Sequence, residues 1–445
     1  MPDPIETTLQ APLAGCGARS VLADRFLAVR ARTRWLCSTL ATEDHITQSM
    51  PLASPAKWHL AHTTWFFERF VLQAFLPGYA PFDAEFEYLF NSYYDSVGTR
   101  IAQAERGTLT RPTLERVHAY REHVEQAISV CLGQIPDSAW STVAATLELG
   151  LQHEQQHQEL LVTDILHLFL SHPFGTRYLS DAVPANAPDP GPLRVQRFEE
   201  GVVSIGIDAE AASFAYDNES PRHRRFLEPY ALATRPSTNQ EYLAFVESGG
   251  YADPAHWLSL GWSRVQSESW RHPLYWKRDA HTGAWLEFTA WGWIPLDPHR
   301  PVCHLSYFEA DAFARWSGAR LPTEFQWEAA MTTSVIAHPA RERALHPTGE
   351  PFAAPLGVGE VWEWTRSSYE AYPGYAIPPG ALGEYNGKFM CNQYVLRGGS
   401  CATPPGHIRP SYRNFFPPEA RWQFSGVRLA FEGPDQAPSD SRGSH

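Results

Sequence analysis

The chain has 445 residues, 43 % hydrophobic and 19 % charged, which allows two or three cored domains and excludes a disordered chain. A formal net charge of −13 excludes a broad nucleic-acid-binding face, and no apolar run reaches the roughly 18 residues that a membrane span needs. The cysteines, Cys16, Cys37, Cys131, Cys303, Cys391 and Cys401, are far apart and form no CxxC, so neither a disulfide framework nor a thiolate zinc site is expected, and reduced thiols in the cytoplasm are.

The N-terminal stretch MPDPIETTLQAPLAGC carries acids and prolines and lacks the basic-then-apolar order of a secretion signal. Residues 20–180 then read as helical. SVLADRFLAVRARTRWLCSTL brings Leu22, Phe26, Val29 and Thr33 to one face. Ser54-Pro55 is a cap followed by a first-turn proline, and it opens AKWHLAHTTWFFERFVLQAF. Pro112-Thr113 opens TLERVHAYREHVEQAISVCLGQI in the same manner, and STVAATLELGLQHEQQHQELLVTDILHLFL is long and apolar on one side. Four such stretches predict a four-helix bundle, with residues 76–111 as its irregular connection.

DAVPANAPDPGPLRV, residues 181–195, is a Pro-rich linker and marks a domain boundary. From 196 to 432 the pattern changes to short apolar pieces rich in Gly, Trp and Pro. Only TNQEYLAFVES (238–248) and SYFEADAFARWSG (306–318) stand out as helices. The end, 433–445, reads as a disordered tail.

The sharpest chemical signal is His153-Glu-Gln-Gln-His157. Residues i and i+4 stack on one helix face, so both imidazoles can hold one ion. A third ligand is expected from a facing helix, where His59 and His62 both stand. Three neutral imidazoles suit Fe(II), Cu or Zn, so spacing leaves the metal open. HEQQH also formally satisfies the HExxH pattern of zinc proteases, in which Glu154 would be the general base. His118 with His123, and His167 with His172, are five apart and point to different faces, as surface residues do.

In the second half, PVCHLSYFEADAFARWSGARLPTEFQWEAA (301–330), VWEWTRS (361–367), LRGGSCATPPGHIRPSYRNFF (396–416) and GVRLA (426–430) resemble the formylglycine-generating-enzyme fold, a C-type-lectin-like mixed α/β domain. Gly398-Gly399 permits tight backbone geometry there, and Trp327, Trp362 and Trp364 are its natural core anchors. Formylglycine generation needs a reactive cysteine pair, and no second cysteine follows Cys401, so the resemblance does not carry that activity. In the first half KWHLAHTTWFFE, SYYDSVG and LQHEQQHQELL, in that order, resemble a DinB-like bundle. The fusion resembles the ergothioneine-pathway sulfoxide synthases, the EgtB family, over residues 20–432.

That resemblance implies a multi-domain α plus α+β protein and a nonheme Fe(II) enzyme that uses O2. Its metal ligands would be His62, His153 and His157, with His59 a neighbour, and the zinc-protease reading recedes. It implies attachment of a thiol, cysteine or γ-glutamylcysteine, to C2 of the imidazole of Nα-trimethylhistidine (hercynine), with oxidation of the sulfur to a sulfoxide. Tyr93 would supply the hydrogen that keeps the thiol from simple dioxygenation, with Tyr94 in support; the pair resembles the cysteine-using branch. Gln156 would hold the distal imidazole nitrogen. Asn414, Phe415 and Phe416 would face the trimethylammonium, which no hydrogen-bond donor can satisfy. Arg100, Arg106 and Arg111 offer themselves to the thiol substrate's carboxylates, and Glu159 reads as a supporting or surface carboxylate. Rival readings are an ovothiol-type synthase acting at another imidazole carbon, a selenium-using relative, and a non-catalytic lectin-like binding module.

Overall fold

The computed structural model describes residues 16–208, 214–332, 345–351, 356–380 and 383–433; beyond Gly433 the expected tail lies outside the described residues. The first half is built on four long helices, Cys16–Cys37, Ala56–Phe67, Leu114–Gln134 and Asp137–Ser171. The first buries Leu22, Phe26, Thr33 and Leu36, and the last buries Val143, Leu147, Leu151, Leu161, Ile165 and Phe169. The three- and four-residue steps are those of one apolar helix stripe.

The second helix is buried on every side, as befits the central rod of a bundle, although it carries Lys57, His59, His62, Thr63 and Thr64. Lys57 Nζ donates to the Leu109 and Pro112 carbonyls, at 2.7 and 2.9 Å, and Thr63 and Thr64 donate back to the carbonyls of His59 and Leu60. The helix continues through a π turn, Glu68–Leu72, which lets Glu68 accept hydrogen bonds from Tyr79, Tyr120 and the Phe82 amide. Thr113 caps the third helix as expected, accepting from the Arg116 amide at 3.2 Å. Ser54 does not cap the second: Pro55 occupies the cap position, one residue too late for the serine hydroxyl to reach the first amides, and Ser54 is engaged elsewhere.

Among the described residues the second half contains four small sheets. One joins Val195–Phe198, Tyr230–Ala233 and Ala430–Glu432, so the end of the domain pairs with its beginning. Another orders Asn414–Phe416, Tyr394–Arg397, Trp362–Ser368 and Ser425–Gly426, with Phe416 opposite Tyr394. The two expected helices form over Asn239–Glu247 and Tyr307–Trp316, each opened by a capping box, Thr238 with Glu241 and Ser306 with Glu309. Of two further nine-residue helices, Ser259–Ser267 has no side-chain cap to mark it in the sequence, whereas Glu324–Thr332 is opened by Thr323 and Gln326, whose side chains each accept from the other's backbone amide at 3.1 Å. Trp327, Trp362 and Trp364 are buried, and Gly398 and Gly399 take φ of +102° and +76°. Among the described residues no helix is long and apolar enough to cross a membrane.

Candidate metal centre and substrate cavity

The second and fourth bundle helices face each other across His62, His153 and His157, whose ligand atoms all lie within 4.8 Å of one another. The His62 Nδ1–H donates to the Phe90 carbonyl at 2.6 Å, which leaves its Nε2 bare. That nitrogen stands 3.2 Å from His153 Nε2. Two imidazole nitrogens so close hold either a shared proton or a cation between them. Burial pushes His62 and His157 well below the ordinary histidine range, and His153 down to about 4. All three are therefore neutral at pH 7 and present lone pairs. This neutral, converging, nitrogen-only donor set fits a first-row divalent metal.

Glu154, adjacent to His153, points the other way. Its carboxylate accepts from Thr33 Oγ1 at 2.6 Å and pairs with Arg30 and Arg121, at 2.9 and 3.2 Å, in the bundle core. Burial works against its charge, but the two guanidiniums prevail and hold the carboxyl at about 2. It cannot serve as a base at the three-histidine face, so the HExxH pattern is here a coincidence of letters.

The imidazoles open on a cavity of about 260 Å³ lined by both halves of the molecule. Tyr93 and Tyr94 line it from the long connection. The Tyr93 hydroxyl donates to Gln103 Oε1 at 3.1 Å, and its ring meets Phe389 edge-on at 4.8 Å. Tyr94 is buried among Trp65, Phe66 and Phe70. Asn414, Phe415 and Phe416 line it from the second half: Phe415 stacks on Tyr369 at 4.1 Å and Phe416 meets Trp422 edge-on. Gln156 also lines the cavity, and its Nε2 donates to the Tyr412 hydroxyl at 2.7 Å.

The three arginines separate. Arg106 lines the cavity, stacked 3.4 Å over Trp58 and donating to Ser54 and Ser92. Arg100 does not line it; its side chain turns to Asp95, 3.3 Å away. Arg111 is exposed and bonds the Thr110 carbonyl. Arg100 follows Gly98 in an open turn beside the acidic Asp95, and that nearby charge decides its direction.

One feature was not anticipated. Tyr412 reaches the cavity and joins Gln156 to His407, whose Nε2 is 3.2 Å from the same hydroxyl. Its position two before Asn414 was the available signal, since alternate residues of an extended segment share a face. Of the two places expected for Glu159, supporting or surface, it takes the supporting one: it accepts from Trp362 Nε1 at 2.7 Å, Ser400 Oγ at 2.5 Å and Thr403 Oγ1 at 2.6 Å, all from the second half.

Fold and cavity define a class: a DinB-like helical bundle joined to a sulfatase-modifying-factor-like domain, with one site walled by both. Residues 25–161 match the DinB superfamily, and 187–354 with 346–432 match the sulfatase-modifying factor enzyme 1-like domain. The chain is 32 % identical over 448 residues to the hercynine oxygenase of Mycolicibacterium smegmatis, covering 93 % of this chain and 99 % of that one. It is 32 % identical over 410 residues to the hercynine oxygenase of Mycobacterium tuberculosis, covering 86 % and 92 %. A formylglycine-generating enzyme of Streptomyces coelicolor matches only 33 % of the chain, at 30 % identity. The chain belongs to the hercynine oxygenase family, and is an oxygen-dependent oxidoreductase of the EgtB sulfoxide-synthase type.

Proposed function

We propose that this protein is an Fe(II)-dependent hercynylcysteine sulfoxide synthase. Hercynine, cysteine and O2 would give hercynylcysteine sulfoxide and water: the C2–H and S–H bonds break, a C–S bond forms, one oxygen atom goes to sulfur and the other to water. The observation that carries this reading is the three-imidazole face opening on a cavity that Asn414, Phe415 and Phe416 also line. His62, His153 and His157 would hold the iron, which when bound supplies thiolate activation and the one-electron chemistry that O2 requires.

The chain's own groups then divide the remaining work. The faces of Phe415 and Phe416 and the Asn414 amide oxygen suit a trimethylammonium, which gives and accepts no hydrogen bond. Gln156 can exchange its Tyr412 bond for one to the substrate's distal imidazole nitrogen and so fix the ring's angle. Arg106, the bundle arginine that lines the cavity, is the candidate for the thiol substrate's carboxylate. Tyr93 would deliver a hydrogen from its hydroxyl, with the buried Tyr94 fixing the loop behind it. In this division residues 20–180 form the metal domain and 196–432 the domain that holds the cation, joined by the 181–195 linker. Cys37, Cys131, Cys303, Cys391 and Cys401 are free thiols; the compartment this reading assigns is the reducing cytoplasm, where a free thiol substrate persists.

The test is direct. Purified protein with Fe(II), hercynine, cysteine and air is expected to yield the hercynylcysteine sulfoxide mass. Preferred turnover of γ-glutamylcysteine would move the donor assignment, and preferred turnover of histidine would favour the ovothiol reading. Hercynine binding without any turnover would reduce the protein to a binding module and overturn the proposal.

A further inference from the structure

Behind the ligand His157 lies a chain of polar groups of which the reading above uses only Arg106. His59 Nδ1 stands 2.9 Å from His157 Nδ1, and His59 Nε2 stands 3.1 Å from Asp164 Oδ2. Asp164 Oδ2 also accepts from the Ser54 amide at 2.8 Å, and the Ser54 hydroxyl accepts from Arg106 at 2.8 Å. Arg106 covers Trp58, and Trp58 stacks on the ligand His62 at 4.5 Å with its plane only 10° off. The run thus begins at one ligand and ends at another.

We propose that His59 and Asp164 are positioning residues that orient His157 and make it the strongest donor of the three imidazoles; this rests on the three-histidine reading of the metal centre. The direction of each hydrogen bond follows from chemistry. A carboxylate oxygen only accepts, so the proton between Asp164 and His59 sits on His59 Nε2. A ring carrying its one proton there has a bare Nδ1, so the neighbouring His157 Nδ1 must be the donor. His157 then has its proton on Nδ1 and its Nε2 lone pair available to an ion. Polarisation by the carboxylate passes through His59 and increases the electron donation of His157.

The other two ligands are held differently. His62 Nδ1 meets an uncharged backbone carbonyl, and the buried His153 Nδ1 has no hydrogen-bond partner among the described residues. The three imidazoles are therefore graded: carboxylate-backed, carbonyl-backed and unsupported.

The experiment is an anaerobic Co(II) titration of the full-length protein followed by visible absorption. Wild type, His59→Leu, His59→Gln, Asp164→Asn and His62→Ala are compared, with circular dichroism as the check of folding. His59→Leu removes both hydrogen bonds and is expected to weaken Co(II) binding roughly 10- to 100-fold and shift its absorption bands. His59→Gln keeps the polarity, since its Oε1 accepts and its Nε2 donates, and should remain within about threefold of wild type. Binding by His59→Leu equal to wild type, or a loss in His59→Gln as large as in His59→Leu, would overturn the proposal. Should His59→Leu not fold, Asp164→Asn decides: it keeps an acceptor but removes the charge, so several-fold weaker binding supports the chain and unchanged binding overturns it. The underlying reading fails differently, through a wild type that takes up no Co(II) or a His62→Ala variant that binds as well as wild type.

Discussion

His153 and Glu154 are neighbours in the chain and serve different halves of the bundle. One helical step turns the imidazole to the cavity and the carboxylate to Arg30 and Arg121. Glu154→Gln would remove the carboxylate that pairs with the buried Arg121 and leave the buried Arg30 with Glu125 alone, and is expected to cost about 3–5 kcal/mol in urea unfolding. The sign with pH follows from the depressed carboxyl. Its stabilisation is complete above the ordinary value of 4.5 and is lost as pH falls through about 2, so an acid melt should show its loss in that window for wild type and not for the variant. At Tyr93 the expectation is chemical rather than structural. Tyr93→Phe removes one hydroxyl whose protein partner is Gln103, and product analysis should show the sulfoxide fraction falling while oxidised cysteine rises. An unchanged ratio would remove Tyr93 from the catalytic role.

At the scale of elements, the fourth bundle helix organises the site. His153, Gln156, His157, Leu160 and Asp164 all line the cavity, and their spacing of three and four is one face of an α-helix. Glu159, which also lines the cavity, fastens the helix to the second half through Trp362, Ser400 and Thr403. Ser400 can meet it because Gly398 and Gly399 turn the preceding backbone through positive φ. Glu159→Ala would orphan three donors at once. It is expected to lower stability by about 2–4 kcal/mol in thermal unfolding and to raise the KM for hercynine, because Gln156 and Tyr412 face each other across the same seam.

At the scale of the whole molecule, one apolar core runs from the bundle into the second half. Phe67, Val117 and Leu161 belong to the same packed cluster as Tyr275, Phe288, Val361 and Phe424. The cavity is a gap left in that joint, so neither half alone encloses it. A metal bound at the three imidazoles ties together the second and fourth bundle helices. Free Fe(II) at about 100 times its dissociation constant should therefore add about 2.7 kcal/mol of stability. A chelator is expected to lower the melting temperature and abolish turnover together, and Fe(II) is expected to restore both.

Much of this could be read from the chain. The His153–His157 pair was legible because a helix repeats every 3.6 residues whatever surrounds it. The bundle, and the helices opened by Thr238 and Ser306, were legible because capping and apolar periodicity are local properties. Spacing alone left His59 and His62 equivalent, both on the cavity side of one helix. Packing separates them: Phe90 orients His62 toward His153, while Asp164, more than 100 residues from His59 in sequence, holds His59 behind His157. The choice of Arg106 over Arg100, and the meeting of Tyr412 with Gln156 256 positions away, likewise depend on how two halves of the chain dock. Local pattern specifies which side chains share a face. Which of them face the same space depends on side-chain packing and charge pairing between segments distant in the chain.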